Sequence, residues 1–446
     1  MPQHDDELNK RREKREALRK KREAEQRRLK RTLILAAVVL VLCGIGIYMI
    51  ARNAGVQPGV TVSQQEPEAT KPTKAPEPTE TTAPPRDATT TIHIRAAGDL
   101  NITNSVVNAG LAPNGYDFTN AFLDVAHLIA EADLTVMNFE GNVYGQNYGT
   151  ETVSAPREIL TSLREMGVDL VQTANSCSIS NGLMGLSSTL SAVRNAGLIP
   201  LGSYSSAEEF RQAKGYTICD VQGIKIAFVA FTKGVGGMGM PAGNEDLVNL
   251  LYTDYDSTYK KVDKDGINTI LDAVNQEKPD ITIAMLHWGS EFNESISDTQ
   301  KDIVSLMKKK GVDVIIGTHP HLVQKIEYDK LTGTLVAYSL GDFFGDGTRG
   351  GTNYSIILDV EITKDPVAET TKVTGFDYIP IYTLQSTDSQ GDYSYNRVVR
   401  IREAMLAYEN NFVDKISKAA YDSMDYALTR IEARVTGADE KKDGNK

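Results

Sequence analysis

Three of the six histidines in this 446-residue sequence, His287, His319 and His321, directly follow short apolar runs, ITIAMLH (281–287) and VDVIIGTHPH (312–321). Three further runs end in a carboxylate or an amide. TIHIRAAGD delivers Asp99, LTVMNFE delivers Asn138 and Glu140, and VDLVQTAN delivers Asn175. Anionic oxygen, a neutral amide carbonyl and a neutral imidazole together suit a divalent metal such as Zn, Fe, Mn or Ni. His319 and His321 are two residues apart, so on an extended segment both point the same way, with Pro320 stiffening the link. Glycines at 98, 141, 289 and 317 let the backbone turn closely around a compact site. A single His or Asp at a strand end is more often a cap or a core residue. Five strand ends carrying such groups point to a metal centre. His93, inside a strand, and His127, inside a helix, read as structural.

The elements that position these residues follow from hydrophobic patterning. Apolar runs at 91–97, 134–139, 168–174, 198–203, 281–287 and 312–317 predict strands. Helix patterns fall between them, near 117–131, 157–166, 183–196, 257–276 and 298–310. That alternation predicts an α/β layer architecture with a buried sheet, and ligands bind beyond the carboxyl ends of such strands. GYTICDVQG followed by IKIAFVAF reads as a hairpin, as do IEYDKLTGTLVAYSL and NYSIILDVEI, so the sheet is mixed or there are two sheets face to face. Residues 394–436 read as one or two amphipathic helices.

Charge is divided unevenly along the chain. Residues 1–31 hold 13 Lys/Arg against 7 Asp/Glu, a charge of +6, whereas the whole chain carries −11, leaving −17 for the remainder. Such an acidic body lacks the basic footprint of a nucleic-acid reader. Three cysteines, none in a C-x-x-C arrangement, exclude a disulfide framework or a zinc knuckle. Thr32 to Ala51 is free of charge for 20 residues, about 30 Å of helix and enough to cross a bilayer. The long basic lead and the exit Ala51-Arg52-Asn53 fit an uncleaved anchor better than a signal peptide. Positive charge before the span places the N-terminus in the cytoplasm and the long C-terminal part outside the cell. The resulting plan is a basic, coiled-coil-like leader (1–31), a transmembrane helix (32–51) and a Pro/Thr/Glu-rich linker (52–90). A catalytic-type domain (91–385), a C-terminal helical extension (386–437) and a disordered tail (438–446) follow.

The strings AAGDLN, NFEGNV, TANSCSISNG, LHWGSEFN, DVIIGTHPHLVQ and YSLGDFF occur in that order between about residues 92 and 345. As a set they resemble the poly-γ-glutamate capsule biosynthesis protein family CapA, of the calcineurin-like metallophosphoesterase superfamily. The resemblance implies a four-layer α/β/β/α sandwich and a centre of two divalent metal ions (Mn, Fe, Zn or Mg). It implies Asp99 as a ligand of the first ion, Glu140 as a bridging carboxylate, Asn175 as an amide ligand, and His287, His319 and His321 as imidazole ligands. The superfamily's D-x-H reads Asp99-Leu100-Asn101 here, which leaves Asn101 to supply oxygen in place of an imidazole. The family's A-N-N-H followed by D reads Ala174-Asn175-Ser176-Cys177, with Ser180 at the acid. Cys177 therefore stands at the general-acid position, as a weak donor, a soft ligand or a packed side chain. Asp342 stands where the family shows Asn.

Arg157, Lys233 and Arg349 are candidate contacts for an anionic substrate. Gly234 to Gly239 (GVGGMG) follows a strand but opens no helix, so it reads as a loop and not as a phosphate cradle. The expectation is a membrane-anchored, extracellular metallohydrolase-like protein that meets an anionic cell-surface polymer or a phosphoester. The alternative is a catalytically impaired polymer-binding or scaffold subunit beside membrane synthase or export subunits. Neither reading involves nucleic acid.

Overall fold

The computed structural model describes residues 88–387, 393–411 and 416–438. The predicted leader, the transmembrane span and nearly all of the linker lie outside the described residues, as does the tail from 439. Among the described residues no helix is long and apolar enough to cross a membrane.

The chain forms β1 (Thr90–Asn101), α1 (Asn104–Ala109), the short hairpin β2 (Leu111–Ala112) and β3 (Gly115–Tyr116), then α2 (Thr119–Phe122) and α3 (Ala126–Ala130). Three strand–helix units follow: β4 (Leu134–Glu140) with α4 (Glu158–Met166), β5 (Leu170–Gln172) with α5 (Gly182–Asn195), and β6 (Ile199–Leu201) with α6 (Ala207–Ala213). The hairpin β7 (Tyr216–Val221) and β8 (Ile224–Thr232) leads to α7 (Lys264–Gln276), β9 (Ile281–His287), α8 (Asp298–Lys309) and β10 (Val314–Thr318). Then come β11 (Ile326–Asp329), β12 (Thr334–Ala337), β13 (Asp342–Phe344), β14 (Tyr354–Asp365), β15 (Thr370–Thr387), β16 (Tyr393–Arg400), α9 (Ile401–Glu409) and α10 (Lys418–Thr436).

These strands make two mixed sheets. One runs β16-β15-β14-β1-β4-β5-β6 with β13 beside β1, and the other runs β11-β12-β10-β9-β8-β7. Period-two alternation stacks them face to face. Ile92, Ile94 and Ala96 of β1 share one core with Ile226 and Phe228 of β8 and with Ile281, Ile283 and Met285 of β9. The opposite faces carry the helices: Met137 and Phe139 pack with α4, while Leu286 and Ile315 pack with α7 and α8. The layers are thus helix, sheet, sheet, helix. Residues 393–400 correct the helix expected from 394, because alternating Tyr, Val and Asn positions pair β16 antiparallel to β15. Helix begins only at Ile401, and α9 and α10 join the inter-sheet core through Ile401, Met424, Ala427 and Ile431. The helix expected from 257 begins at Lys264, after the cap Asp263.

An unanticipated device sets the parallel pairs. Asp133, Asp169, Asp280 and Asp313 each precede a parallel strand. Their carboxylates accept the backbone N–H of His93, Thr135, Lys225 and Thr282 on the neighbouring strand at 2.7–2.9 Å. Each latch fixes register where the ladder begins. Burial pushes Asp313 from 3.8 up to about 6, against the pull of the Thr282 N–H. Between those values the folded chain keeps a proton that the unfolded chain has released, so this group makes stability fall as pH rises from about 4 to 6. Asp313→Asn keeps an oxygen for Thr282 and removes the titration. Urea unfolding across that window should show the wild type losing up to about 3 kcal/mol relative to the variant; parallel pH profiles would contradict the assignment.

Candidate metal centre

Strand phase delivers most of the candidate ligands. In β4, Leu134 and Val136 face the inter-sheet core, so Asn138 and Glu140 fall on the same side. In β9, Ile281, Ile283 and Met285 do likewise, which carries His287 inward, in register with Thr318 of β10. Asp99 needs a correction to its phase. Ile92, Ile94 and Ala96 point inward, so regular alternation would send residue 99 outward. The register shifts between Ala97 and Asp99, leaving Gly98 unpaired as a bulge, and Asp99 turns inward while Leu100 joins the outer core. Only glycine fits at that bulge, since a Cβ on Gly98 would lie 1.8 Å from the Gly341 carbonyl oxygen.

His319 and His321 do reach the rim, but not from an extended segment. Their φ values are 91° and 58°, left-handed conformations that side chains other than glycine and a few polar residues rarely adopt. The chain thus turns within His319-Pro320-His321. Strain of this kind costs about 1–3 kcal/mol per residue and gathers at functional sites.

The two sheets contribute different chemistry. The larger one brings Asp99, Glu140, Asn138, Asn175 and Asp342, and the smaller brings the three imidazoles. Asp99 accepts from Asn138 Nδ2 at 2.6 Å and from the His319 backbone N–H at 3.1 Å. His287 Nε2 lies 3.3 Å from Glu140 Oε1, 3.1 Å from His319 Nδ1 and 3.0 Å from Ser176 Oγ. On its other side His287 Nδ1 meets Thr318 Oγ1 at 3.1 Å. His321 Nδ1 is 2.7 Å from Asp342 and 3.7 Å from Asp99. Donor atoms of Glu140, His287 and His319 lie within 4.8 Å of one another, as do those of Asp99, Glu140 and His321. Glu140 is common to both groups.

This donor set fits divalent ions. Asp99, Glu140 and Asp342 are each at most 4% exposed, and Glu140 Oε2 has no hydrogen-bond partner. Buried carboxylates without a cation are costly. Burial, then the nearby Glu140 charge, raises Asp99, and burial pushes Asp342 up to about 7. Burial also works against charge on Glu140, but His287 and His321 hold it below its ordinary value. At His321 burial is outweighed by the Asp342, Glu140 and Asp99 carboxylates, so this imidazole gathers the proton that a metal would replace. Burial and its cationic neighbours keep His319 neutral, the form in which imidazole ligates.

Other sequence-derived candidates sort differently. Asn175 is buried at the rim, but its Oδ1 accepts the Cys177 N–H at 3.0 Å and its Nδ2 donates to Asn138 and Phe139, so its amide braces the site. Burial, then the Glu140 charge, pushes the Cys177 thiol well up, and its sulfur belongs to none of the candidate ligand groups among the described residues. Asn101 pairs in register with Glu140. Lys233 is at the site: its ammonium donates to the Gly289 carbonyl at 2.7 Å and sits over the Tyr259 ring. Arg349 is at the mouth, 4.0 Å above the Phe292 ring, which in turn stacks on His321. Arg157 lies elsewhere, in a groove of about 280 Å³ between α4 and α5 whose walls include none of the ligands. Residue types alone missed the bracing role of Asn138, which its phase in β4 could have shown. They also missed Ser176 and Glu291, although both lie within the strings TANSCSISNG and LHWGSEFN.

The profile of the bacterial capsule synthesis protein family PGA_cap matches residues 93–346. The PGA biosynthesis protein CapA of Bacillus subtilis (strain 168) is 25% identical over 301 residues, 66% of this chain and 73% of that protein. The capsule biosynthesis protein CapA of Bacillus anthracis is 26% identical over 265 residues, 57% of this chain and 61% of that protein. Similar solved structures include a novel phosphatase of Mycoplasma pneumoniae, with 14% identity, a TM-score of 0.41 and coverage of 66% of this chain and 95% of that one. The calcineurin-like phosphoesterase YfkN of Bacillus subtilis has 15% identity, a TM-score of 0.38 and coverage of 66% and 91%.

The bulge makes a direct prediction. Gly98→Ala should force β1 from Gly341 and displace Asp99, lowering stability by about 1–3 kcal/mol and weakening metal uptake. Thermal melts with and without added zinc measure both; a variant that melts and gains stability from zinc like the wild type contradicts the role given to the bulge.

Proposed function

The chain belongs to the bacterial capsule synthesis protein family PGA_cap, and from that premise we propose that it is a membrane-anchored, extracellular member performing metal-dependent hydrolase-type chemistry on an anionic surface polymer or a phosphoester. The observation that carries this reading is the rim itself: two buried ligand groups joined by Glu140, one of whose carboxylate oxygens lacks a partner. Glu140, His287 and His319 would hold one ion, and Asp99, Glu140 and His321 a second. When bound, such ions supply Lewis-acid polarisation of a phosphoryl or carbonyl oxygen and an acidified water. A mixed oxygen and imidazole set suits Zn, Fe or Mn better than Mg, which prefers oxygen alone.

The surrounding residues suit an anionic substrate. Arg349 offers a planar guanidinium to a carboxylate or phosphate, and Lys233 adds a fixed positive charge beside the imidazoles. Two relatives are named for PGA or capsule biosynthesis, and a carboxylate-rich polymer such as poly-γ-glutamate fits those two cations. Anchoring and an extracellular position rest on the 32–51 span and its basic lead. A second reading, a scaffold or polymer-binding subunit, is favoured by one feature: where the family resemblance puts a general acid, Cys177 presents a thiol held protonated and weakly donating.

Turnover of a chromogenic phosphodiester by the full-length chain loaded with zinc or manganese separates the two. The hydrolase reading predicts slow, chelator-sensitive turnover that is lost in Glu140→Gln. It further predicts that Cys177→His raises turnover about 10²-fold or more, the usual worth of a positioned acid. A metal-loaded chain with no turnover in either form, yet retaining the polymer, contradicts hydrolysis and supports the scaffold.

A further inference from the structure

The loop from Gly289 to Ser295 brings to the centre a carboxylate that no strand delivers. Glu291 is exposed, its carboxylate accepts no hydrogen bond among the described residues, and it stands within 4.8 Å of donor nitrogens of His319 and His321. The loop is seated on the histidine turn by three contacts. Phe292 N donates to the Pro320 carbonyl at 2.9 Å, Gln324 Nε2 donates to the Asn293 carbonyl at 2.8 Å, and the Phe292 ring stacks on His321 with centroids 5.3 Å apart.

A fourth contact comes from far along the chain. Glu294 is gripped by Arg430, at 2.8 Å, and by Arg434, both on α10. Arg434 is only 7% exposed, and its Nε and Nη1 have no hydrogen-bond partner. A guanidinium so buried depends on its carboxylate, because separating the two leaves an uncompensated interior charge. Glu294 is therefore held firmly, and it lies three residues from Glu291. The clamp joins the metal rim to a helix beyond residues 93–346, the part matched by the family profile.

We propose that Glu291 is a further, solvent-side ligand of the metal centre, and that the clamp of Glu294 by Arg430 and Arg434 positions it. This rests on the metal-centre reading above. Glu294, Arg430 and Arg434 are positioning residues, for they act on the ion only through the loop. Helix α10 thereby sets how tightly the outer ion is held, and a partner that moved α10 would loosen it.

Manganese binding to the full-length chain, followed by equilibrium dialysis, tests this together with hydrogen exchange in residues 289–295. Glu291→Gln and Glu294→Gln should each weaken the weaker-bound ion about 10-fold. The double variant should bind no worse than Glu291→Gln, and only the Glu294 variants should speed exchange in the loop. Arg434→Met should repeat the Glu294→Gln result from the helix side. Should that buried substitution prevent folding, the exposed Glu294→Gln still decides. A wild type that binds two ions, with either single variant unchanged or the two losses additive, overturns the proposal alone. A wild type that binds no manganese overturns the metal-centre reading beneath it.

Discussion

Neither sheet can support the centre by itself. The carboxylates of Asp99 and Glu140 are almost wholly buried at the rim of one sheet, and what faces them belongs to the other: the backbone N–H of His319 on Asp99 and the imidazole of His287 on Glu140. Removing a carboxylate from water is tolerated only when hydrogen bonds or opposite charge replace the lost hydration. The apolar face shared by the two sheets supplies the driving force that brings these halves together. The rim then costs part of that stabilisation through buried charge and two left-handed histidines. The site is thus assembled by the core and strained against it, and a divalent cation held there would relieve the strain of charge.

Much of this was legible in the residues. Apolar runs placed every strand that carries a ligand, and each run ended at the carboxylate, amide or imidazole it delivers. Asp99 was recognisable as a residue type but not in its orientation, because a bulge at Gly98 depends on Gly341, more than 240 positions away. The turn at His319-Pro320-His321 was misjudged for a similar reason. An extended reading is the natural local preference, and contacts with Asp99, Asp342 and the Phe292 loop override it. Asn175 reaches the rim as its residue type suggested, and there its amide is hydrogen-bonded to the Cys177 N–H, the Asn138 side chain and the Phe139 carbonyl. The C-terminal segment misled through composition, since the aromatic and branched residues of 393–400 suit an edge strand as well as an amphipathic helix.

Two of the departures from the pattern that the family resemblance implies, Cys177 and Asp342, fall on the proton-handling side of the site. Cys177 replaces a titratable imidazole with a thiol that burial keeps neutral, whereas Asp342 adds a carboxylate directly on His321. On the metal-holding side Asn101 stands where the resemblance implies an imidazole, while Asp99, Glu140, His287, His319 and His321 meet at the rim. Such a division preserves binding chemistry more completely than proton transfer. It fits an enzyme slowed at one step, or a family member that grips an anionic polymer through metal, Lys233 and Arg349 without cleaving it.

The central claim is that the two ligand groups sharing Glu140 hold two divalent ions. Anomalous diffraction from crystals of the full-length chain grown with zinc or manganese tests it most directly. The account predicts two anomalous peaks, one bounded by Glu140, His287 and His319 and the other by Asp99, Glu140 and His321. Crystals that show this rim fully ordered and no anomalous peak within it would contradict the account.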